Sequence, residues 1–415
     1  MPSFFSGRTS KITLGLSVLS LLTACASTAD STSGGGSQGV TDKTIKVAGL
    51  LTKTSPIGYS TAEAELGAKA RFERANAEGG VNGRKIEFAG AENDSMDPAT
   101  GLAATRRLVE KDGVFAIVPV SAPSFSGSEY LEQKKVPWFG WVTSPNQCGL
   151  ATAFGYNGCL TPKPGVKLAP WWGDQIAAEL GGNDKTVWLQ GTDTTASKAG
   201  TEVIRQTFAD SGFKIAGMAT TVPAGAPPQD WLPYVNKVKT SAGGGWPDVV
   251  VSIMSGVKHN NGFYTALRKA GYKGVITDAT SYDPKVLADP QSVAALEGVY
   301  IGLQVSPFES QSPEVARMKQ DLRKVGGDGL VFSQQMAIGY WSADVFLKLV
   351  EKTGEDLTRE NFLKASEGFS YENPGFGRVA YPANKTVSSG CGALVRIEGG
   401  GFRVAQELKC VDPVK

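Results

Sequence analysis

Short apolar runs alternate with segments of helical periodicity through the first third of the chain. Apolar runs lie at residues 45–51, 85–91 and 114–120, with helical segments between them at 62–77 and 98–111. Continuous apolar runs of this length between helices are typical of strands buried on both faces of a parallel sheet. The pattern therefore predicts a βαβαβ unit with helices on both sides of its sheet.

The same alternation returns in the middle of the chain. Helices are predicted at residues 166–180, 196–211, 230–241 and 261–270, and strands at 186–190, 213–221, 247–254 and 274–280. Two such units predict an α/β fold of two doubly wound, Rossmann-like lobes, with candidate ligand sites where the strands of each sheet end. Helices at 312–325 and 329–352 are followed by Gly- and Pro-punctuated short strands and turns.

The N-terminus has the pattern of a secretory signal peptide over residues 1–24. Arg8 and Lys11 precede an apolar stretch of about 11 residues, well short of the roughly 20 that a membrane-spanning helix needs. Leu22-Thr23-Ala24-Cys25 resembles the lipobox of bacterial lipoproteins, which implies a lipid on Cys25 and a protein on the outer face of the cytoplasmic membrane. A soluble secreted protein that carries a cysteine there by chance is the alternative.

Residues 25–42 are rich in Ser, Thr and Gly and predict a flexible tether.

Charge and composition exclude several classes of function. The 415 residues include 42 Lys and Arg against 40 Asp and Glu, without a basic stripe, so the electrostatic pattern of a nucleic-acid-binding protein is missing. The single histidine, His259, leaves little for a histidine-based metal site or for acid–base catalysis near neutral pH. We therefore expect no metal, no cofactor and no nucleic-acid partner.

Four cysteines remain besides Cys25, in an exported and oxidising setting. They allow three disulfide pairings, and we favour Cys148–Cys159 with Cys391–Cys410 because each closes a short local loop flanked by Gly and Asn. A structural zinc site is the competing interpretation. The gaps of 10 and 18 residues between these cysteines match no usual ligand spacing, and only one histidine is available.

One group of residues resembles a known family. Gly67-Ala68, the run NAEGGVNGRKI at 76–86, Asn93-Asp94 and Asp97-Pro98 resemble the leucine/isoleucine/valine-type solute-binding proteins of ABC importers, which have the type I periplasmic-binding fold. The order of elements is similar over residues 43–400. The resemblance implies two lobes joined by a hinge of three crossings, with lobe 1 at 43–160 plus 305–370 and lobe 2 at 161–304 plus 371–415.

The resemblance also implies a ligand site between the lobes. On the first lobe it points to Tyr59, Ser121, Ala122, Thr143 and Ser144. Hydroxyls and free backbone N–H groups at a helix start stabilise an anion, so this half of the site is expected to receive a carboxylate. For Ser121 and Ser144, an ordinary cap or turn role is the alternative.

The second lobe departs from the family pattern. The residues expected to contact the ligand there are Asp193, Ser197, Ser255 and Asp278. Amino-acid-binding relatives have a tyrosine after the aspartate that matches Asp193, which is missing here, and Ala279 lies nearest their ammonium-binding carboxylate. Asp193, Asp278 or Asp283 would replace that carboxylate only after a small shift in register. We therefore expect a carboxylate or other polar small molecule with an apolar or aromatic body, rather than a branched-chain amino acid.

Two tryptophans lie beside the expected cleft in the sequence PWFGW. Alternate residues of a strand point to opposite faces of a sheet, so Trp138 and Trp141 need not act together. Core packing is the expected role of at least one of them.

Together these observations predict a lipid-anchored, monomeric, extracytoplasmic solute-binding protein, not an enzyme, that delivers a small solute to an ABC permease in the membrane. Two alternatives stay open. The first is a ligand sensor built on the same fold. The second is an exported hydrolase, in which His259 would be the only imidazole base although the chain has neither a G-x-S-x-G nor an H-E-x-x-H motif.

Overall fold

The computed structural model describes residues 37–56, 58–254 and 256–413. Its strands are β1 (Thr44–Leu51), β2 (Lys85–Asn93), β3 (Ala116–Ser121), β4 (Trp138–Val142), β5 (Ala153–Cys159), β6 (Thr186–Thr192), β7 (Lys214–Val222), β8 (Val249–Ile253), β9 (Val275–Asp278), β10 (Tyr300–Leu303), β11 (Phe369–Asn373), β12 (Gly377–Tyr381), β13 (Cys391–Glu398) and β14 (Gly401–Cys410).

The helices alternate with these strands, as the sequence pattern predicts. They are α1 (Glu63–Ala77), α2 (Pro98–Arg106), α3 (Ser128–Gln133), α4 (Trp171–Leu180), α5 (Thr195–Asp210), α6 (Leu232–Lys239), α7 (Val257–Lys269), α8 (Pro290–Leu296), α9 (Pro313–Gly326), α10 (Gln334–Thr353), α11 (Arg359–Ser366) and α12 (Ala383–Thr386). A π-helical turn over Arg107–Lys111 extends α2, and a 3-10 turn covers Pro284–Val286.

The first sheet is parallel and has the strand order β2-β1-β3-β4-β5. Strands β1, β3, β4 and β5 are largely buried on both faces, whereas the edge strand β2 is mostly half-buried or exposed, and successive residues of the buried strands contribute to different cores. Val47 packs into the cluster beneath α1 and α10, whereas Ala48 packs into the cluster on the opposite face. On β4, Phe139 packs into the cluster that contains Val47, and Trp138 packs into the cluster that contains Ala48. This alternation is the period of two that a strand imposes on its side chains.

The second sheet has the strand order β14-β13-β10-β9-β8-β6-β7. Neighbouring strands from β7 to β10 are parallel, and β13 and β14 extend the sheet with antiparallel pairs. Helices α4 and α5 cover one face, where Trp172 and Phe208 pack over Val249 and Val251. Two doubly wound sheets confirm the predicted fold class.

Three crossings connect the sheets. The chain passes from β5 to α4, from β10 to α9, and from the α12 region to β13. Between the second and third crossings, helices α9, α10 and α11 return to the first lobe, where Gly67 of α1 and Gly339 of α10 let the two helices pack closely. The expected lobe boundary at residue 370 falls within the hairpin of β11 and β12. Tyr381 of that hairpin donates a hydrogen bond to the Gly155 carbonyl on β5, at 2.8 Å, so the hairpin contacts the first lobe.

The end of the expected tether is held against the first lobe. Gln38 donates a side-chain hydrogen bond to the Val109 carbonyl, and Lys46 donates its backbone N–H to the carbonyl of Gly39. Gly39 has a φ of 78°, and a Cβ there would lie 2.3 Å from the backbone nitrogen of Phe115. Residues 37–42 are therefore part of the folded lobe. The signal peptide, Cys25 and residues 25–36 of the expected tether lie outside the described residues.

Local chemistry explains the ends of several elements. Helix α4 begins at Trp171 instead of the predicted residue 166 because the proline at 170 disfavours helical geometry in the residue before it. Gly79 and Gly80 have φ values of 112° and 90°, and they return the chain from α1 to β2. The structure contains the Cys148–Cys159 and Cys391–Cys410 disulfides. The second of these joins directly opposed residues of β13 and β14.

Candidate ligand-binding site

A cavity of about 200 Å³ lies where the strands of both sheets end. Its first-lobe wall consists of loop and strand-end residues that follow β1 to β4, namely Tyr59, Met96, Ala122, Pro123, Trp141 and Thr143. Its second-lobe wall includes residues at the ends of β8 and β9 and after β6, namely Ala196, Ser197, Ile253, Met254, Ala279 and Thr280. The carboxyl ends of parallel strands are the usual ligand-binding edge of doubly wound sheets.

The crossings contribute to the same cavity. Leu160, Thr161, Leu168 and Ala169 come from the first crossing, Gln304 from the second and Ser388 from the third. The cavity is therefore shared by the two lobes and by the segments that connect them.

The walls of the cavity are mainly apolar. Aromatic and aliphatic side chains supply most of the surface, and among the described residues none of those that line the cavity is Asp, Glu, Lys or Arg. A charge on a bound molecule would therefore be stabilised by neutral hydrogen-bond donors, not by an ion pair. An apolar cavity with a few polar groups is typical of small-molecule sites.

Two polar groups on the wall have no hydrogen-bond partner in the part of the chain that the structure describes. They are the indole N–H of Trp141 and the hydroxyl of Thr161, both buried, and Thr161 is only 3% exposed. An indole N–H can only donate, and a hydroxyl can donate or accept. Leaving such groups unpaired is costly, and both residues line the cavity, so they are candidate contacts for a hydrogen-bond acceptor of a ligand once the wall adjusts to expose their polar atoms.

Asp94 lies behind the first-lobe wall and organises it. The Thr52 hydroxyl and the Met96 backbone N–H donate to its carboxylate at 2.7 and 2.8 Å, which places Met96 against the cavity. Burial raises the pKa of Tyr59 far above its ordinary range, and the nearby Asp94 carboxylate raises it further. Tyr59 therefore stays protonated and keeps a phenol O–H.

The first-lobe residues predicted from the sequence divide into two groups. Tyr59, Ala122 and Thr143 line the cavity, whereas Ser121 and Ser144 do not. Ser121 is buried and donates its hydroxyl to the side chain of Gln335 on α10, at 3.0 Å.

The loop expected to receive an anion is already capped by the chain itself. The backbone N–H groups of Thr143 and Ser144 both donate to the side-chain oxygen of Gln147, at 3.1 Å. These two N–H groups are therefore not available to a carboxylate in this conformation.

The second-lobe predictions also divide. Ser197 lines the cavity, but its hydroxyl accepts from the Thr192 N–H at 2.8 Å and donates to the Ile253 carbonyl at 2.6 Å. Asp193 is exposed and accepts from the Ala224 N–H at 2.9 Å, away from the cavity. Ser255 lies outside the described residues.

Asp278 is fully buried and does not line the cavity. Its carboxylate accepts hydrogen bonds from the hydroxyls of Tyr264 and Ser281 and from the backbone N–H groups of Thr280 and Ser281. Burial raises the pKa of Asp278, and the Ser281 hydrogen bonds oppose that rise. Its visible role is to order the loop that presents Thr280 to the cavity.

Several cavity-lining residues along α4 and α5 were not predicted from the sequence. These are Trp171, Trp172, Gly200, Val203, Ile204 and Thr207. Apolar residues at helical spacing are also the pattern of a helix face packed into a core, so periodicity does not separate the two roles. The adjacent tryptophans were the one available signal, because two large rings directly after a crossing lie close to any site at the hinge.

His259 has no place in this cavity. It is 3% exposed, and its imidazole donates to the Pro223 carbonyl at 3.0 Å. Burial lowers the pKa of His259, so the ring is neutral near pH 7. No cluster of His, Cys, Asp or Glu suited to a metal ion occurs among residues 37–56, 58–254 and 256–413, and no helix in those ranges is long and apolar enough to cross a bilayer.

Comparisons with known proteins agree with this architecture. The sequence profile of the family described as periplasmic binding protein matches residues 44–401. No curated protein matches the sequence. Among solved structures, a fatty acid ABC transporter substrate-binding protein from Thermomonospora curvata has a TM-score of 0.68 at 17% identity, over 90% of this chain and 94% of that one.

Two further structures are similar over most of their length. A solute-binding protein of an ABC transporter from R. palustris, in complex with 4-hydroxybenzoate, has a TM-score of 0.70 at 19% identity, over 89% of this chain and 98% of that one. A possible leucine/isoleucine/valine-binding protein from Rhodopirellula baltica has a TM-score of 0.70 at 14% identity, over 88% and 96%. At these identities the likeness shows a shared fold.

Proposed function

This chain belongs to the periplasmic binding protein family, and we propose that it is the solute-binding component of an ABC importer. In this role it captures a small molecule between its lobes and presents it to a permease in the membrane. One observation carries the proposal: a single cavity is walled by the strand ends of both sheets and by all three crossings. A ligand there would contact both lobes at once, so binding would favour their closure.

The chemistry of the cavity supports a ligand with an apolar body and a hydrogen-bond acceptor. The acceptor would meet the indole N–H of Trp141 and the hydroxyl of Thr161, with Tyr59 and Thr143 nearby. A carboxylate fits this role because neutral donors stabilise an anion without an ion pair. The names of two structural relatives, which mention a fatty acid and 4-hydroxybenzoate, are consistent with such a molecule.

The direct test is to identify the ligand that the protein retains. Protein purified from its native host without denaturation would be analysed by mass spectrometry, and each compound found would be tested for thermal stabilisation. A ligand at 100 times its dissociation constant should stabilise the folded state by about 2.7 kcal/mol. The proposal fails if no retained compound, and no member of a broad panel of small acids, amino acids and sugars, stabilises the protein.

Lobe closure is a separate part of the proposal. Small-angle scattering with and without a stabilising compound should show a smaller radius of gyration when the compound is bound. An unchanged radius at saturation would argue against a hinge that closes on the ligand.

We also propose that Cys25 is lipidated and holds the protein to the outer face of the cytoplasmic membrane as a monomer. The Leu22-Thr23-Ala24-Cys25 sequence supports this. Cys25→Ala should leave the precursor unprocessed or release the protein from membranes. Equal retention of variant and wild type after a salt wash would contradict the anchor.

A further inference from the structure

We propose that the ligand is an elongated amphiphile whose unbranched apolar chain lies along helix α5, inside the second lobe. This rests on the proposed function and names the class of molecule that the site takes. The polar end would remain at the first lobe and the crossings, and the chain would extend away from the cleft.

The cavity follows one face of α5 for most of the length of that helix. Ala196, Gly200, Val203, Ile204 and Thr207 all line it. At 1.5 Å per residue, the axial distance from Ala196 to Thr207 is about 16 Å. Since α5 begins where β6 ends, its later turns lie progressively farther from the cleft edge. The cavity is therefore a channel that enters the second lobe.

Two tryptophans at the start of α4 line the same cavity. Trp171 and Trp172 are stacked, with ring centroids 5.8 Å apart. Trp172 donates its indole N–H to the Thr277 hydroxyl at 3.1 Å, and its ring contacts Phe208 edge-on. Its only polar group is thus satisfied within the protein, and the small part of Trp172 that is exposed, 1% of the residue, is apolar.

Polar groups are arranged unequally along the cavity. In the α5 segment, the Ser197 hydroxyl donates to the Ile253 carbonyl and the Thr207 hydroxyl donates to the Ile204 carbonyl, so both are satisfied within the protein. The unpaired donors, on Trp141 and Thr161, belong to the first lobe and the first crossing. A molecule with one polar end and a long apolar remainder matches this arrangement, whereas a compact polar solute would leave the channel unfilled.

Gly200 lies midway along the channel wall. Glycine is unfavourable inside a helix, so its presence there calls for a packing reason. A Cβ at this position would lie 3.3 Å from the Cγ2 atom of Ile253 at the end of β8, closer than ordinary packing allows. The glycine therefore lets α5 approach β8, and a larger side chain would have to displace Ile253, which lines the cavity beside it.

The test measures the binding of linear monocarboxylates from hexanoate to dodecanoate by calorimetry, with benzoate and 4-hydroxybenzoate as compact acids. The protein is the purified chain, freed of retained ligand. Each methylene that enters the channel should strengthen binding about fourfold, until the channel is full. Gly200→Leu should weaken decanoate binding by at least about 30-fold and change hexanoate binding by less than about threefold.

The matched control is Ala199→Leu, which adds a leucine one position earlier on α5, where the residue does not line the cavity. Ala199→Leu should leave the affinity for every acid in the series unchanged. Val203→Phe is a second obstruction, one turn farther along, and it should affect only chains longer than those that Gly200→Leu excludes. Circular dichroism and melting temperature establish that each variant is folded.

Failure of this inference differs from failure of the proposed function. If a compact acid binds tightly, if affinity does not depend on chain length, and if Gly200→Leu has no selective effect, the channel assignment is overturned and the binding function stands. If no compound of any kind stabilises the protein, the proposed function itself fails.

Discussion

The phenol of Tyr264 donates a hydrogen bond of 2.9 Å to Asp278, deep in the second lobe. Both side chains are fully buried, and Ser281 supplies two further donors to the same carboxylate. The carboxylate is thus occupied by its own loop. This explains why an aspartate at the end of β9 lies close to the cavity without lining it.

We predict that Asp278→Asn lowers the unfolding free energy by about 1–3 kcal/mol, because an amide cannot accept all four hydrogen bonds and leaves buried donors unpaired. Tyr264→Phe removes a single donor and should cost less, about 1 kcal/mol. Urea denaturation measures both. A large loss of ligand affinity in folded Asp278→Asn, without loss of stability, would show that this carboxylate contacts the ligand directly.

Thr161→Val tests the polar end of the cavity. The hydroxyl of Thr161 is buried and lacks a partner among the described residues, so valine should leave the unliganded protein equally stable or slightly more stable. Ligand affinity should fall about tenfold, which corresponds to about 1.4 kcal/mol. Thr152→Val is the matched control, because the Thr152 hydroxyl binds Glu132 and does not line the cavity. It should reduce stability and leave affinity unchanged, and the opposite pattern would exclude Thr161 from the site.

Much of the fold follows from features that are local in sequence. Buried parallel strands give continuous apolar runs, and prolines and glycines mark the ends of helices, so the order of elements was predictable. Trp138 and Trp141 illustrate the same logic. They lie three residues apart on β4, and the structure places Trp138 in the core against Phe125 and Trp141 on the cavity wall.

The candidate site was less predictable, because its character depends on contacts between distant residues. No local pattern shows that Gln147 caps the N–H groups of Thr143 and Ser144, or that Ser121 pairs with Gln335, 214 residues away. Likewise, Val203 on α5 has the spacing of an ordinary core residue. Only the packing of α4 beside α5 decides whether that face meets another side chain or a cavity.

Lys385 should make stability depend on pH. Its ammonium lies 4.0 Å from the centre of the Phe154 ring and donates to the Ala151 carbonyl, and burial lowers the pKa of Lys385 from 10.5 to about 8. Between pH 8 and 10.5 the unfolded chain therefore holds a proton that the folded protein has released, so stability should rise with pH.

Lys385→Met keeps an unbranched side chain without the charge, and it should lack this contribution. The unfolding free energy of the wild type minus that of the variant is therefore expected to increase from pH 7.5 to pH 10. Lys69→Met, on the exposed face of α1, controls for the general loss of a lysine. Parallel curves for wild type and Lys385→Met would contradict the prediction.

Each disulfide should contribute on the order of 3 kcal/mol to stability by restricting the unfolded chain. The bridges span sequence separations of 11 for Cys148–Cys159 and 19 for Cys391–Cys410, so the second should contribute slightly more, by about 0.5 kcal/mol on the loop-entropy estimate. Double alanine variants of each pair, compared by urea denaturation, measure this. Non-reducing peptide mapping checks the pairing, and free thiols at all four positions in protein from the native compartment would rule it out.

Branched-chain amino acids should bind weakly because the described residues that line the cavity offer only neutral acceptors to their ammonium group. In the part of the chain that the structure describes, no carboxylate lines the cavity, and burying an unpaired ammonium costs several kcal/mol. The sharpest comparison is leucine against 4-methylpentanoate, which has the same carbon skeleton and carboxylate but no ammonium. We expect 4-methylpentanoate to bind at least about 100-fold more tightly by calorimetry, equivalent to about 2.7 kcal/mol. The corresponding amide, 4-methylpentanamide, measures what the carboxylate charge adds. Equal or tighter binding of leucine would mean that a carboxylate reaches the ligand after all, and Asp278 and Asp193 would then be the first to replace.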